Sequence, residues 1–111
     1  MKKIEAFISP ARFDDILAGL IAIGAEGLTM TEVKTRADKP HLIRYRSGTS
    51  EITLDSQLKL EIVVADFKAS QVVESIRRTG RNGNHGNDRI LIVPLDEVMR
   101  IRTGECGEDA L

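Results

Sequence analysis

Read for hydrophobic period, the chain gives one unit twice: an alternating stretch, a helical stripe, then a second alternating stretch. In the first unit, residues 2–8 (KKIEAFI) are rich in β-formers and predict a strand. Ser9 then offers a helix N-cap, and Pro10 suits a first helical turn. Phe13, Ile16, Leu17, Leu20 and Ile21 fall on one helical face, and Gly24 is a natural stop. Leu28 and Met30 alternate with Thr29 and Thr31, so 26–34 predicts a second strand. In the second unit, Leu58, Leu60, Ile62 and Val64 alternate with Lys59, Glu61 and Val63. Asp66 is placed to cap a helix carrying Phe67, Val72, Val73 and Ile76 and ending near Arg78. Residues 89–93 (RILIV) predict the last strand.

Strand–helix–strand repeated in this way predicts an α+β, ferredoxin-like doubled βαβ sandwich. Its four-stranded antiparallel sheet carries two helices on one face. The other face needs a cover, which predicts self-association. With 111 residues the chain is expected to form a single domain, 1–111. The 16 basic and 17 acidic side chains leave a formal net charge of -1, so nothing draws the molecule as a whole to nucleic acid or to an anionic membrane. Any anion site must be local. No long apolar run follows the amino terminus, so neither a signal peptide nor direct membrane insertion is expected, and a cytoplasmic location is. Cys106 is the sole cysteine, and with two histidines far apart it makes no zinc signature; no metal ligands are assigned.

Three segments could carry chemistry. Residues 79–89 are rich in Gly and Asn. Gly83 and Gly86 permit close backbone approach, successive N–H groups can cradle an anion, and Arg81 and Arg89 add charge. The competing reading is a plain connection into the last strand. Arg100 and Arg102, if extended, point to one side and suit a polyphosphate; the competing reading is a solvated tail. Residues 35–56 show no sustained period and carry Arg36, Lys39, His41, Arg44 and Arg46 beside Tyr45, as a partner-binding arm would. A solvated insertion is the alternative there. His85 could contact phosphate or act as an acid or base, and Cys106 could be exposed and oxidisable, but a lone loop histidine and an ordinary thiol are the favoured readings.

The opening MKKIEAFISP, the segments GLTMTEVK and LKLEIVV, and MRIRTGE at 99–105 resemble the PII signal-transduction family over nearly the whole chain, failing mainly in 35–57. The resemblance implies a homotrimer that binds ATP or ADP between subunits and reaches a regulated enzyme or transporter through a long loop. It implies that Thr29, Glu61 and Val63 lie near adenine and ribose, that Gly86 and Arg89 belong to the phosphate loop, and that Arg100 and Arg102 contact phosphate. The loop matching the signalling segment is 35–56, with Ser50 where the family has its modified tyrosine. Several positions depart from the family. The glutamine tied to magnesium and 2-oxoglutarate is missing, Gln57 replaces a phosphate lysine, and Asp88 replaces a glycine of the phosphate loop. Less positive charge near the terminal phosphate favours ADP or AMP over ATP, since a charge-assisted contact contributes about 1.5–3 kcal/mol. Those departures look like the PII-like proteins of inorganic carbon uptake and carboxysomes, with bicarbonate as second effector. Ordinary nitrogen control through 2-oxoglutarate is the alternative, and a small ferredoxin-like nucleotide hydrolase is the alternative from another class.

Overall fold

The computed structural model describes residues 1–25, 27–36, 42–44, 50–52, 54–82 and 88–111, with 42–44 and 50–52 described in backbone only. The elements are β1 (Lys2–Ile8), α1 (Phe13–Ala22), β2 (Thr29–Arg36), β3 (Leu42–Arg44), β4 (Ser50–Ile52), β5 (Leu54–Val64), α2 (Asp66–Gly80) and β6 (Arg89–Pro94). The main sheet runs β2-β5-β1-β6, with every neighbouring pair antiparallel. This is the expected ferredoxin-like arrangement.

Alternation assigns the two faces. Ile4, Ala6 and Ile8 of β1 pair with Ile62, Leu60 and Leu58 of β5, and all six are buried. They form the core with Ile16 and Leu20 of α1 and Val72 and Ile76 of α2. Burying one such side chain contributes roughly 1.5–3 kcal/mol, so these residues fix which way the strands face. The odd-numbered residues, Lys3, Glu5 and Phe7 with Lys59, Glu61 and Val63, project from the side without helices and are only half-buried.

Several local expectations are corrected. Ser9 does not cap α1: a 3-10 turn over Pro10–Arg12 intervenes, and the Ser9 hydroxyl is turned to a tertiary partner. Pro10 opens that turn, and α1 begins at Phe13. Ile21 is half exposed, because it lies about 100° around the helix from Leu20, beyond the buried stripe. Asp66 is the first residue of α2 and not its cap; the N-cap is Ala65, without a side-chain bond. Phe67 is 84% exposed, off the phase of Ala69, Val72 and Ile76. β2 starts at Thr29, and Met30 is 44% exposed although it pairs with buried Leu60, because β2 is an edge strand. The 35–56 segment is shorter than expected and is not structureless: β2 runs to Arg36, β5 begins at Leu54, and β3 and β4 form their own two-stranded ribbon. Gly24 does end α1, with φ +77°. No helix among the described residues is long and apolar enough to cross a membrane.

Candidate functional site

Two groups of the expected residues are assembled within one chain. The first lies where β2 meets β5. Thr29 sits directly opposite Glu61, and Val63 follows on the same open face. Beside them is a cavity of about 270 Å3 whose walls include Gly27, Val63, Ala65, Lys68 and Leu111. An apolar wall with one ammonium suits a flat ring joined to an anionic group. Glu61 also belongs to a charge ring on the open face. Lys3 Nζ lies 2.7 Å from Glu5 and 3.7 Å from Glu61, while Lys59 Nζ lies 3.9 Å and 3.6 Å from the same two carboxylates. The hydrogen bond from Lys3 holds the Glu5 carboxyl below its usual value, against the opposing push of burial. Its partner effect raises Lys3.

The second group lies at the opposite ends of the same strands, where the segment after α2 enters β6. Asp88 accepts hydrogen bonds from the Ser9 amide (3.2 Å), the Ser9 hydroxyl (2.7 Å) and Gln57 Nε2 (2.8 Å). Ser9 and Gln57 are 2% and 1% exposed. Their grip pins the foot of the Gly/Asn segment to β1 and β5 at once. All three of these donors are neutral groups, two from Ser9 and one from Gln57. Arg89 opens β6, exposed, with its guanidinium 5.4 Å from the centre of the Phe7 ring. A cavity of about 260 Å3 runs between them, lined by Phe7, Ile8 and Ile76 together with Arg81, Asp88 and Arg89.

Arg100 and Arg102 are not held as an extended pair. Met99 bridges to Cys106, the Gly104 amide returns to the Arg100 carbonyl at 2.8 Å, and Gly104 takes φ +73°. Arg102 therefore sits exposed in a turn, while the Arg100 guanidinium is turned back onto the carbonyls of Ala110 and Leu111. Gly104 permits this turn, since glycine takes a positive φ without steric cost.

A family model described as nitrogen regulatory protein P-II matches residues 1–105. The chain belongs to the P-II family. It is 39% identical to nitrogen regulatory protein P-II of Rhizobium meliloti (strain 1021), 40% identical to that of Cereibacter sphaeroides and 39% identical to that of Haemophilus influenzae (strain ATCC 51907 / DSM 11121 / KW20 / Rd), in each case over all of both chains.

Within this P-II fold, Thr29, Glu61 and Val63 are neighbours on the open face, and Arg89 stands at the foot of the Gly/Asn segment. Of the loop residues, Arg36 ends β2, exposed and paired with Leu54, and Arg44 pairs with Ser50 across the β3–β4 ribbon. Gly86, Lys39, His41, Tyr45 and Arg46 lie outside the described residues, as does His85. Asp88 and Gln57 were noted separately in the sequence, and Ser9 was missed as the second residue that donates to Asp88. A serine before a proline reads as a helix cap, and only the tertiary fold shows the carboxylate it serves.

Proposed function

We propose that this P-II chain is a non-enzymatic regulator in nitrogen control, which binds an adenine nucleotide and passes its state to a partner enzyme or transporter through the 35–56 segment. The names of the relatives favour nitrogen control over the inorganic-carbon reading. The nucleotide base would lie against Thr29, Glu61 and Val63, and its phosphates against Arg100 and Arg102 of that subunit with Arg89 and the Gly/Asn segment of a neighbour. A trimer supplies such a neighbour, and the uncovered sheet face supports assembly.

One observation carries the nucleotide preference: the Asp88 side chain, held by Ser9 and Gln57, lines the same cavity as Arg89. Arg89 attracts a phosphate and Asp88 repels each further one. At a near-surface dielectric two like charges about 4 Å apart cost on the order of 4 kcal/mol, and less with distance. ADP and AMP are therefore favoured over ATP. The missing glutamine in 35–40 gives magnesium no evident anchor.

The test is calorimetric titration with ATP, ADP and AMP of the parent chain and of Asp88→Asn, an isosteric change that keeps an acceptor for Gln57. ATP affinity should rise on the order of tenfold, about 1.4 kcal/mol, with AMP almost unchanged. An unaltered ATP-to-AMP ratio refutes the charge argument. Repeating the titrations with 2-oxoglutarate or bicarbonate decides between nitrogen and carbon as the second input: whichever sharpens nucleotide binding is the effector.

A further inference from the structure

The last residues of the chain reach the place where the nucleotide is proposed to lie. Gly107–Ala110 form a single 3-10 turn, and Ala110 is buried. That turn brings two backbone oxygens onto Arg100: Nε donates to Ala110 at 3.0 Å and Nη2 to Leu111 at 3.1 Å. The Leu111 side chain meanwhile lines the cavity shared by Gly27, Val63 and Lys68. One short segment thus touches both ends of the site, the guanidinium and the apolar cavity.

We propose that residues 107–111 are an internal occupant of the nucleotide site, displaced when nucleotide binds. This rests on the reading of the site given above and adds its regulation. The Nε–Nη2 edge of a guanidinium offers two parallel donors, the arrangement that grips two oxygens of one phosphate. In the free chain that edge is spent on the Ala110 carbonyl and on the backbone oxygen of Leu111. A phosphate offers that edge two anionic oxygens at once, each bond roughly twice as strong as the one to the neutral Ala110 carbonyl, so the phosphate wins the contest for Arg100. Leu111 covers cavity wall that an adenine ring would otherwise cover, so the apolar part of the site is contested as well. The tail lowers apparent affinity by the fraction of molecules in which it is seated. Coupling is reciprocal, so nucleotide must loosen the tail by the same factor. The released segment carries Glu108 and Asp109, and its freedom becomes a second report of nucleotide occupancy, separate from the 35–56 segment.

The experiment compares ADP affinity of the full chain, of a chain truncated after Gly107, and of Leu111→Gly, with thermal melts to check folding. Alongside, the Leu111 methyl resonances of the full chain are followed as ADP is added. The expected result is ADP binding tighter by about threefold or more after truncation, a smaller gain in Leu111→Gly, and Leu111 methyls moving to unfolded-chain positions with ADP. Equal or weaker ADP binding by a truncated chain that melts normally overturns the proposal, as do Leu111 methyls that stay put at saturation. Should truncation unfold the protein, Leu111→Gly and the methyl titration of the unaltered chain decide. If ADP binds neither the full nor the shortened chain, the nucleotide site itself is wrong and the tail proposal falls with it.

Discussion

Glu5 lies between two lysines and takes its value from both. Lys3 donates to it directly, and Lys59 approaches diagonally from the neighbouring strand at longer range. The folded carboxyl titrates below its usual 4.5, so it stabilises the fold above that pH and loses the contribution as pH falls through the lowered folded value. Lys3 titrates above its usual 10.5, so its contribution is intact below that pH and disappears as pH rises through the raised folded value. Glu5→Gln should therefore lower the melting temperature most at about pH 7, with the gap to the parent chain closing in strong acid and again in strong base. A gap that stays constant across this range would show that Glu5 acts through packing and not through charge. The ring was legible in principle: Lys3 and Glu5 share one phase of the first strand, Lys59 and Glu61 one phase of the other. That these strands are neighbours in register is a tertiary fact. Ser9 shows the opposite limit, since its hydroxyl serves a helix amide or a distant carboxylate equally well by residue type.

The two helices meet at a close approach that their hydrophobic stripes do not announce. A Cβ at Gly19 of α1 would stand 2.9 Å from Ser75 Oγ and 3.0 Å from Thr79 Cγ2 of α2. Ser75 is 2% exposed, and Thr79 is tied to its carbonyl by a 2.7 Å hydrogen bond, so neither residue moves away easily. Gly19→Val recovers a few tenths of a kcal/mol in helix propensity but overpacks the contact at a cost of about 1–3 kcal/mol. The expected net loss is about 1–2 kcal/mol in denaturant unfolding, whereas Phe67→Ala on the exposed flank of α2 should stay within about 0.5 kcal/mol. A neutral Gly19→Val would mean that the helices can part without penalty. At this scale the long periodic elements were readable, because each buries a continuous stripe. The β3–β4 ribbon was not, because strands of three residues are too short to establish a period. The end of β2 was misjudged for another reason: on an edge strand, polar Lys34, Thr35 and Arg36 extend the pairing without burying anything that sequence could register.

The whole molecule is a sheet with helices on one side and a mixed surface on the other. That surface is not uniformly polar. Phe7, Val63, Leu91 and Val93 share it with the charge ring, and Leu91 of β6 pairs directly with Glu5. A half-apolar face with its central charges already paired to one another suits contact with copies of itself, because the ion pairs need no new partners when water leaves. The doubled βαβ pattern implied the bare face, but the number of copies came from family resemblance alone, since no period in a sequence counts subunits. Leu91→Asp tests the face where it is most sensitive. The substitution sets a new acid beside Glu5 on a strand pair, where like charges oppose each other, and it removes apolar contact from the centre of the proposed interface. In sedimentation velocity the parent chain should run as a trimer and Leu91→Asp as a smaller species with native-like circular dichroism. Phe67→Asp, a comparable insult on the helical side, should leave the trimer intact. A parent chain that sediments as a monomer would remove the neighbour from which Arg89 is proposed to reach the phosphates, and would leave Thr29, Glu61, Val63 and Arg100 as a site confined to one subunit.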